Sequence, residues 1–381
     1  MIKEQADPFG PWSSVRYPAE RPELLLSRWP FKSAYFEMTT LLQADWYIIP
    51  QQDPRSWFAR RVALYAPERQ RLFDAYVTGI TALSSIPLDA YDVILCFNPM
   101  IRPPRASKAL FTYFLHEHVD PLYPRSLKRV RFGFDLFLDH LMHSAPEVFS
   151  LPQSLRFPYL RNPKLVRSVA GVSKEDAVWL DAKTVMWMSG DSSLWTDRSE
   201  RSAHELSGRW GLPLRVRRQL YRGFWRIEDP PRWTDALEYL ADLGKCRYFV
   251  SLSTGGAGQA LTDAASLGCI CIGSDKLAYH RMVCHPVLLC RDMGQAEHRL
   301  RQVIRSPQLQ QEVVDWQNRM LEARFAQEPL ALLERAVRLK QSGLVPEGIA
   351  TARKGFWTGA SLCTFHAEHL RRRLEHHLKQ A

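Results

Sequence analysis

Residues 253–275 read STGGAGQALTDAASLGCICIGSD. A glycine-rich turn here follows the apolar run YFVSL and precedes small residues at helical spacing. Such a turn can present bare backbone N–H groups to an anion. The amides of Gly255, Gly256 and Ala257 would crowd the start of a helix expected over 259–267, where the positive end of the dipole adds to their pull. Three phosphate chemistries compete. A P-loop needs a lysine after its last glycine, and none is present. A dinucleotide fingerprint takes Gly256 and Gly258 as its first pair but meets Leu261 where its third glycine belongs; Asp275 then stands where a ribose-binding acid would close the next strand. A nucleotide-sugar site needs a glycine turn against the diphosphate and a helix acid on the ribose. A tight strand-to-helix turn that binds nothing is the fourth possibility. Within the expected helix, Leu261, Ala264, Ala265 and Gly268 form the stripe that packs on a sheet, with Asp263 off that stripe.

A second cluster of reactive side chains lies in FLHEHVDP, which contains His116, Glu117, His118 and Asp120. A histidine near its unperturbed pKa, or a carboxylate raised by burial, could take a proton from a hydroxyl. His116 and His118 also have strand spacing for a metal, but no third and fourth ligand accompany them, and a polar turn explains the run equally well. Arginines gather at 215–226, among them Arg222 and Arg226, and either a phosphate partner or a solvated helix face accounts for them. The seven cysteines form no C-x-x-C pair, and Cys269 and Cys271 read as small core residues.

The elements that would position these groups alternate. Strands are expected at 44–50 (ADWYIIP), 91–99 (YDVILCFNP) and 247–253 (RYFVSLS), with a further strand at 183–193 (KTVMWMSGDSS) running into a loop at Gly190. Helices are expected at 72–83, at 131–143 (RFGFDLFLDHLMH) and in RWTDALEYLADLGKC, capped by Thr234. Alternation of this kind implies parallel sheets covered on both faces. Two such series suggest an α/β chain with domains over 1–170 and 171–345. A helical tail over 346–381 follows, packed back or lying on the surface, with Leu370, Leu374 and Leu378 at i, i+4 spacing.

At 381 residues the chain exceeds one ordinary core and suits two. No apolar run approaches the ~20 residues of a membrane helix, and the start has no apolar leader, so a reducing cytoplasm is expected. A net charge of +11 allows nucleic acid, anionic lipid or anionic small substrates. Nucleic acid is disfavoured, because no binding-module pattern accompanies the basic clusters. The tail's Arg371, Arg372, Arg373 and Lys379 allow peripheral contact with an anionic membrane.

The stretch CRYFVSLSTGGAGQALTDAASLGCICIGSD resembles the C-terminal signature of exostosin-like glycosyltransferases, "skFCL.P.G" followed by "S.Rl.dAl..GCiPVi.sD". Leu261, Asp263, Ala264, Gly268, Cys269, Ile270 and Asp275 match in register. ADWYIIP is similar to the family's "AdlFyvP", and KTVMWMSGD to its "Rk.llfF.G". The family's serine and arginine fall on Gly258 and Ala260, and its proline on Cys271. The region is also similar to the broader GT-B pattern with two glutamates eight apart, with Asp263 in the second, ribose-contacting position and Gly255 in the first. The resemblance implies a GT-B fold, two Rossmann-like doubly wound domains facing a cleft. It implies a glycosyltransferase that moves a sugar from a nucleotide-diphosphate sugar, uridine ahead of guanosine, to a glycan or lipid-linked sugar, with no other cofactor. Ser253, Thr254, Gly255, Gly256, Gly258, Asp263 and Gly190, with Arg222 and Arg226, would bind the donor. His116, Glu117, His118 and Asp120 are the candidates for the base. No Asp-x-Asp occurs anywhere in the chain, so leaving-group stabilisation without a metal is expected. The rival readings are a nucleotide-sugar epimerase or NAD-dependent enzyme on a similar sheet, and a degenerate, non-catalytic binder of nucleotide sugar or nucleic acid.

Overall fold

The computed structural model describes residues 2–5, 14–15, 37–38, 41–42, 44, 46–50, 88–96, 107–115, 134–139, 154–190, 196–216, 236–252 and 258–344. Its strands are β1 (Ile2–Gln5), β2 (Ser14–Val15), β3 (Trp46–Pro50), β4 (Val93–Cys96), β5 (Leu110–Leu115), β6 (Leu136–Asp139), β7 (Ser154–Arg156), β8 (Glu175–Leu180), β9 (Leu214–Val216), β10 (Cys246–Ser251), β11 (Ile270–Ser274) and β12 (Leu289–Cys290). The helices are α1 (Pro163–Ala170), α2 (Ala182–Met188), α3 (Asp197–Trp210), α4 (Ala236–Lys245), α5 (Gln259–Ser266), α6 (Ala278–Val283), α7 (Met293–Ile304), α8 (Pro307–Glu322) and α9 (Glu328–Gln341). A π-helical turn, Ala323–Gln327, joins α8 to α9. The chain divides into two compact units. One comprises residues 1–4, 86–158 and 331–381; the other comprises 5–85 and 159–330.

In the first unit β1, β4, β5, β6 and β7 lie side by side in that order, all parallel. Ile94, Leu95, Leu110, Phe111, Leu136, Phe137 and Leu138 are buried. Their apolar runs are continuous rather than alternating because a parallel strand is covered on both faces. Thr112 is fully buried among them and its hydroxyl donates to the Ile94 carbonyl at 3.2 Å. Asp135 ties the sheet to the end of the chain: it accepts from the Phe111 amide at 2.9 Å and from Lys340 Nζ, on α9, at 2.6 Å.

In the second unit the sheet order is β12-β11-β10-β8-β9, again parallel throughout. Alternate side chains of each strand face opposite helical layers. Val178, Leu180, Tyr248, Val250, Ile270 and Ile272 pack with Ala203, Leu206 and Trp210 of α3 and Leu300 and Val303 of α7. On the opposite strand positions Trp179 meets Tyr239 of α4 edge to face at 5.9 Å. Helix α5 is enclosed by α1, α4, α6 and α8. Gln317 of α8 is fully buried because it completes two backbone groups of β11's entry: its Nε2 donates to the Cys269 carbonyl at 2.7 Å and its Oε1 accepts from the Cys271 amide at 2.9 Å.

Two expected elements have the other identity. Residues 131–143 were expected to be helical, but the described part contains strand β6. Phe134, Leu136, Phe137 and Leu138 are all buried, and consecutive apolar residues such as 136–138 have no period that separates strand from helix. Residues 183–193 were expected to form a strand, but helix α2 runs through Met188. The Asp181 carbonyl starts it by accepting from the Thr184 amide at 2.9 Å. The strand precedes it, as β8. That strand's entry, Glu175 and Asp176, is exposed and paired with Arg215 and Arg247, so its first residues read as loop. The strand motif likened to KTVMWMSGD therefore has no strand at that place. The strands at 44–50, 91–99 and 247–253 and the helix at 259–267 are present, with shifted ends. The expected helix at 72–83, the Thr234 cap and the tail lie outside the described residues.

β11 is closely backed. A Cβ on Gly273 would stand 2.7 Å from Cys284 Sγ and 2.8 Å from His280 Nδ1. His280 cannot retreat freely, because its Nδ1 accepts from the Ser274 amide at 2.8 Å. Gly273→Ala should therefore lower stability by about 1–3 kcal/mol, read as a shift of the urea midpoint at unchanged slope.

Candidate functional site

The order of the second sheet creates a crevice before any side chain is considered. From β8 the chain winds outward to β9, then returns to the other side of β8 to form β10, and continues outward to β11 and β12. The connections leaving the C-terminal ends of β8 and β10 therefore diverge. A ligand crevice of an open parallel sheet lies at such a point. Asp181, Lys183 and Thr184 follow β8, and the glycine-rich turn follows β10.

These two exits are bonded together. The Asp181 amide donates to the Val250 carbonyl at 2.9 Å, and Ser251 Oγ donates to Asp181 Oδ2 at 3.2 Å. The buried Thr184 hydroxyl accepts from the Leu252 amide at 2.9 Å. The departure of the chain toward residues 253–257 is thus fixed by a side chain of α2. Lys183 lies between these bonds in sequence and is partly buried. Burial lowers its pKa below the ordinary lysine value of 10.5, and the Asp181 carboxylate opposes that shift. A partly desolvated ammonium beside a strand terminus is suited to hold an anion, because water competes with it less than at the surface.

Across the crevice, Gly258 starts α5 in the left-handed conformation, φ 63°, and offers no side-chain cap. The Thr262 amide donates to its carbonyl at 3.0 Å and closes the first turn. The N–H groups ahead of Thr262 have no partner further back in the helix, as at any helix start. A Cβ on Gly258 would lie 2.8 Å from Cβ of Tyr279, so glycine is required by space as well as by backbone.

Asp263 does not sit off the buried side. It is 5% exposed, because every residue from Leu261 to Ser266 is covered, by the sheet on one side and by α1, α4 and α8 on the others. Its Oδ1 accepts from Nη2 of Arg161. Arg161 is fully buried, and its Nη2 is also 3.1 Å from Glu37 Oε1. Burial works against the guanidinium charge, but Glu37 and Asp263 outweigh it and raise the pKa. Nothing in the sequence marked Arg161 beyond a lone arginine in the otherwise apolar FPYLRNP. Asp181, Lys183 and Thr184 were also passed over, and their signal was the acid that ends the apolar run VWL.

Gly190, expected at the donor site, follows α2 in a left-handed conformation, φ 77°, and is exposed. Ser253, Thr254, Gly255, Gly256, Arg222 and Arg226 lie outside the described residues. So do His116, Glu117, His118 and Asp120, which directly follow the C-terminal end of β5 in sequence. Cys246, Cys269, Cys271, Cys284 and Cys290 are buried free thiols, and burial raises the pKa of each, to about 12 for Cys246 and about 11 for Cys290. They are core residues and poor nucleophiles. Among the described residues no group of three or more His, Cys, Asp or Glu is placed to hold a metal, and no helix is long and apolar enough to cross a membrane.

No protein-family model and no curated protein matches the sequence. Among solved structures the chain is similar to a sucrose-phosphate synthase from Thermosynechococcus elongatus, with 14% identity over 78% of this chain and 84% of that one and a TM-score of 0.43. It is similar to Anabaena HepE in complex with UDP, with 10% identity over 90% of this chain and 99% of that one and a TM-score of 0.42. It is also similar to the α,α-trehalose 6-phosphate synthase of Burkholderia multivorans, with 9% identity over 90% and 98% and a TM-score of 0.45.

Gly258 and Gly190 separate backbone from space. Both have positive φ, but a Cβ at Gly190 meets nothing within 4 Å. Gly190→Ala should cost only the left-handed backbone term, about 1–2 kcal/mol. Gly258→Ala should cost that and also displace Tyr279, for a total of about 2–4 kcal/mol. Parallel urea titrations check the order.

Proposed function

We propose that the chain is a glycosyltransferase of GT-B type, and that its second unit holds the diphosphate of a nucleotide-sugar donor between the turn at 253–258 and Lys183. The observation that carries this reading is the placement of that turn at the C-terminal end of β10, where the strand order reverses, with Lys183 following β8 on the other side. Transfer of a sugar leaves a nucleoside diphosphate with developing negative charge. Amides at a helix start stabilise that charge without reorganising, and a nearby ammonium adds a charge-assisted hydrogen bond. With no Asp-x-Asp in the sequence, these groups and the arginines at 222 and 226 take the part a metal would play. One of His116, Glu117, His118 and Asp120 would accept the proton of the acceptor hydroxyl. The acceptor in this reading is a glycan or a lipid-linked sugar, and the basic tail would serve the second of these at a membrane surface.

An NAD enzyme would use the same turn and place its ribose on Asp275, which ends β11 and lies 3.5 Å from Arg291 Nε. The third fingerprint glycine allows close helix-to-strand approach, and here the fully covered Leu261 fills that space.

A thermal-shift panel of UDP, GDP, their sugars and NAD tests both readings. A nucleoside diphosphate at a hundredfold over its dissociation constant should add about 2.7 kcal/mol of stability. The effect should persist in EDTA. Stabilisation by NAD alone would remove the proposal. Lys183→Met should weaken the diphosphate about ten- to hundredfold, the worth of one charged hydrogen bond. The pH dependence has a defined sign. As pH rises through the lowered Lys183 pKa the ammonium loses its charge, so affinity should fall at a pH below that of an ordinary lysine. In Lys183→Met this alkaline fall should vanish.

A further inference from the structure

We propose that Arg161 is a positioning residue of the nucleotide site, acting through Asp263 to fix the helix α5 that carries the glycine-rich turn. The inference rests on the donor site proposed above. Helix α5 has only eight residues and begins at a glycine that offers no side-chain cap. Its placement is therefore set from outside. Arg167 Nε holds its last turn, donating to the Ser266 carbonyl at 2.7 Å, and two contacts that stand on the segment 159–161 hold its first turn and its middle. At the first turn, the Tyr279 ring occupies the space beside Gly258, and Tyr279 Oη accepts from the Tyr159 amide at 3.2 Å. In the middle, the Arg161 guanidinium donates to Asp263. The segment is itself anchored, since the Arg161 amide donates to the Phe325 carbonyl at 2.9 Å and the Phe325 ring lies 5.6 Å from that of Tyr279.

A buried arginine between two carboxylates is an inefficient source of stability, because apolar groups of the same shape often do as well. It supplies direction: Nη2, fixed between two carboxylates, ties the acid of α5 to one point, whereas an apolar contact lets a short helix slide or roll. Two of its nitrogens, Nε and Nη1, are buried with no hydrogen-bond partner. The side chain is thus held by its two acids through Nη2, and the cost of those idle donors is tolerated for that hold.

The test separates positioning from stability and from direct contact. The neutral triple variant Arg161→Met, Asp263→Asn, Glu37→Gln leaves no buried charge. Its melting temperature, its amide hydrogen exchange over residues 253–262 and its UDP affinity are compared with wild type. The expected result is a folded protein with exchange at 253–262 accelerated at least tenfold, other protected amides unchanged, and UDP affinity reduced tenfold or more. Wild-type exchange would overturn the proposal. If affinity falls while exchange does not, Asp263 touches the nucleotide itself and the positioning role is wrong. Arg161→Lys keeps the charge on a shorter side chain that does not reach the position of Nη2, and serves if the triple variant fails to fold. It should also accelerate exchange at 253–262, and wild-type behaviour there would overturn the proposal. If wild type binds no nucleoside diphosphate, the donor-site reading fails, while the exchange measurement still decides whether Arg161 positions the helix.

Discussion

A guanidinium with no exposure to water, held between Glu37 and Asp263, is the constraint on which the second unit depends. Three segments far apart in sequence meet at it. Desolvating an arginine and two acids is expensive, and their mutual attraction offsets it only while all three stay in place. Removing one partner from such a group costs about 3–5 kcal/mol, a large share of the roughly 5–15 kcal/mol that holds a folded domain. Glu37 is held from a second direction, since its Oε2 accepts from the Asn162 amide at 2.6 Å. The same Asn162 caps α1 through its side chain. One short stretch therefore starts a helix, supplies the buried cation and anchors its counter-ion.

The crevice has a different origin. It follows from strand order alone, and would exist with other side chains around it. What the sequence adds is control of the two chain exits. Thr184 and Asp181 bind the exit of β10 to that of β8. Gly258 lets α5 begin against Tyr279 with no side chain between them. The first device fixes where the turn starts and the second where it ends.

The parts of this fold that could be read in the sequence are those with a period or a punctuation mark. Residues 246–274 alternate between an apolar run, glycines and small residues at helical spacing, and the structure has the strand, helix and strand in that order. The misreadings have physical causes. Leu136, Phe137 and Leu138 of β6 are consecutive apolar residues with no period, and β8 opens with two exposed acids whose partners lie on other strands. Helix α2 carries Thr184 and Val185, which favour strands, but the Asp181 carbonyl and the packing of Val185 against the sheet prevail. Asp263 was placed off the buried stripe because a stripe of four positions was assumed to be the whole buried surface. A helix enclosed on several sides has no outward face, and only the partner 102 residues away shows why an acid is tolerated there.

The charged groups of the second unit divide into two kinds by their response to pH. Arg161 is held charged, since its acids raise an already high pKa. The amides of the turn and of α5 carry partial charges that do not titrate. Lys183 alone among the described crevice residues has a cation whose pKa burial brings down. The fixed charges suit a frame and the adjustable one suits a ligand contact. In the proposed donor site an arriving diphosphate would join the Asp181 carboxylate in opposing the burial of the ammonium, and so raise the Lys183 pKa. Backbone amides do not titrate, so in that reading an alkaline loss of affinity reports the lysine and not the amides.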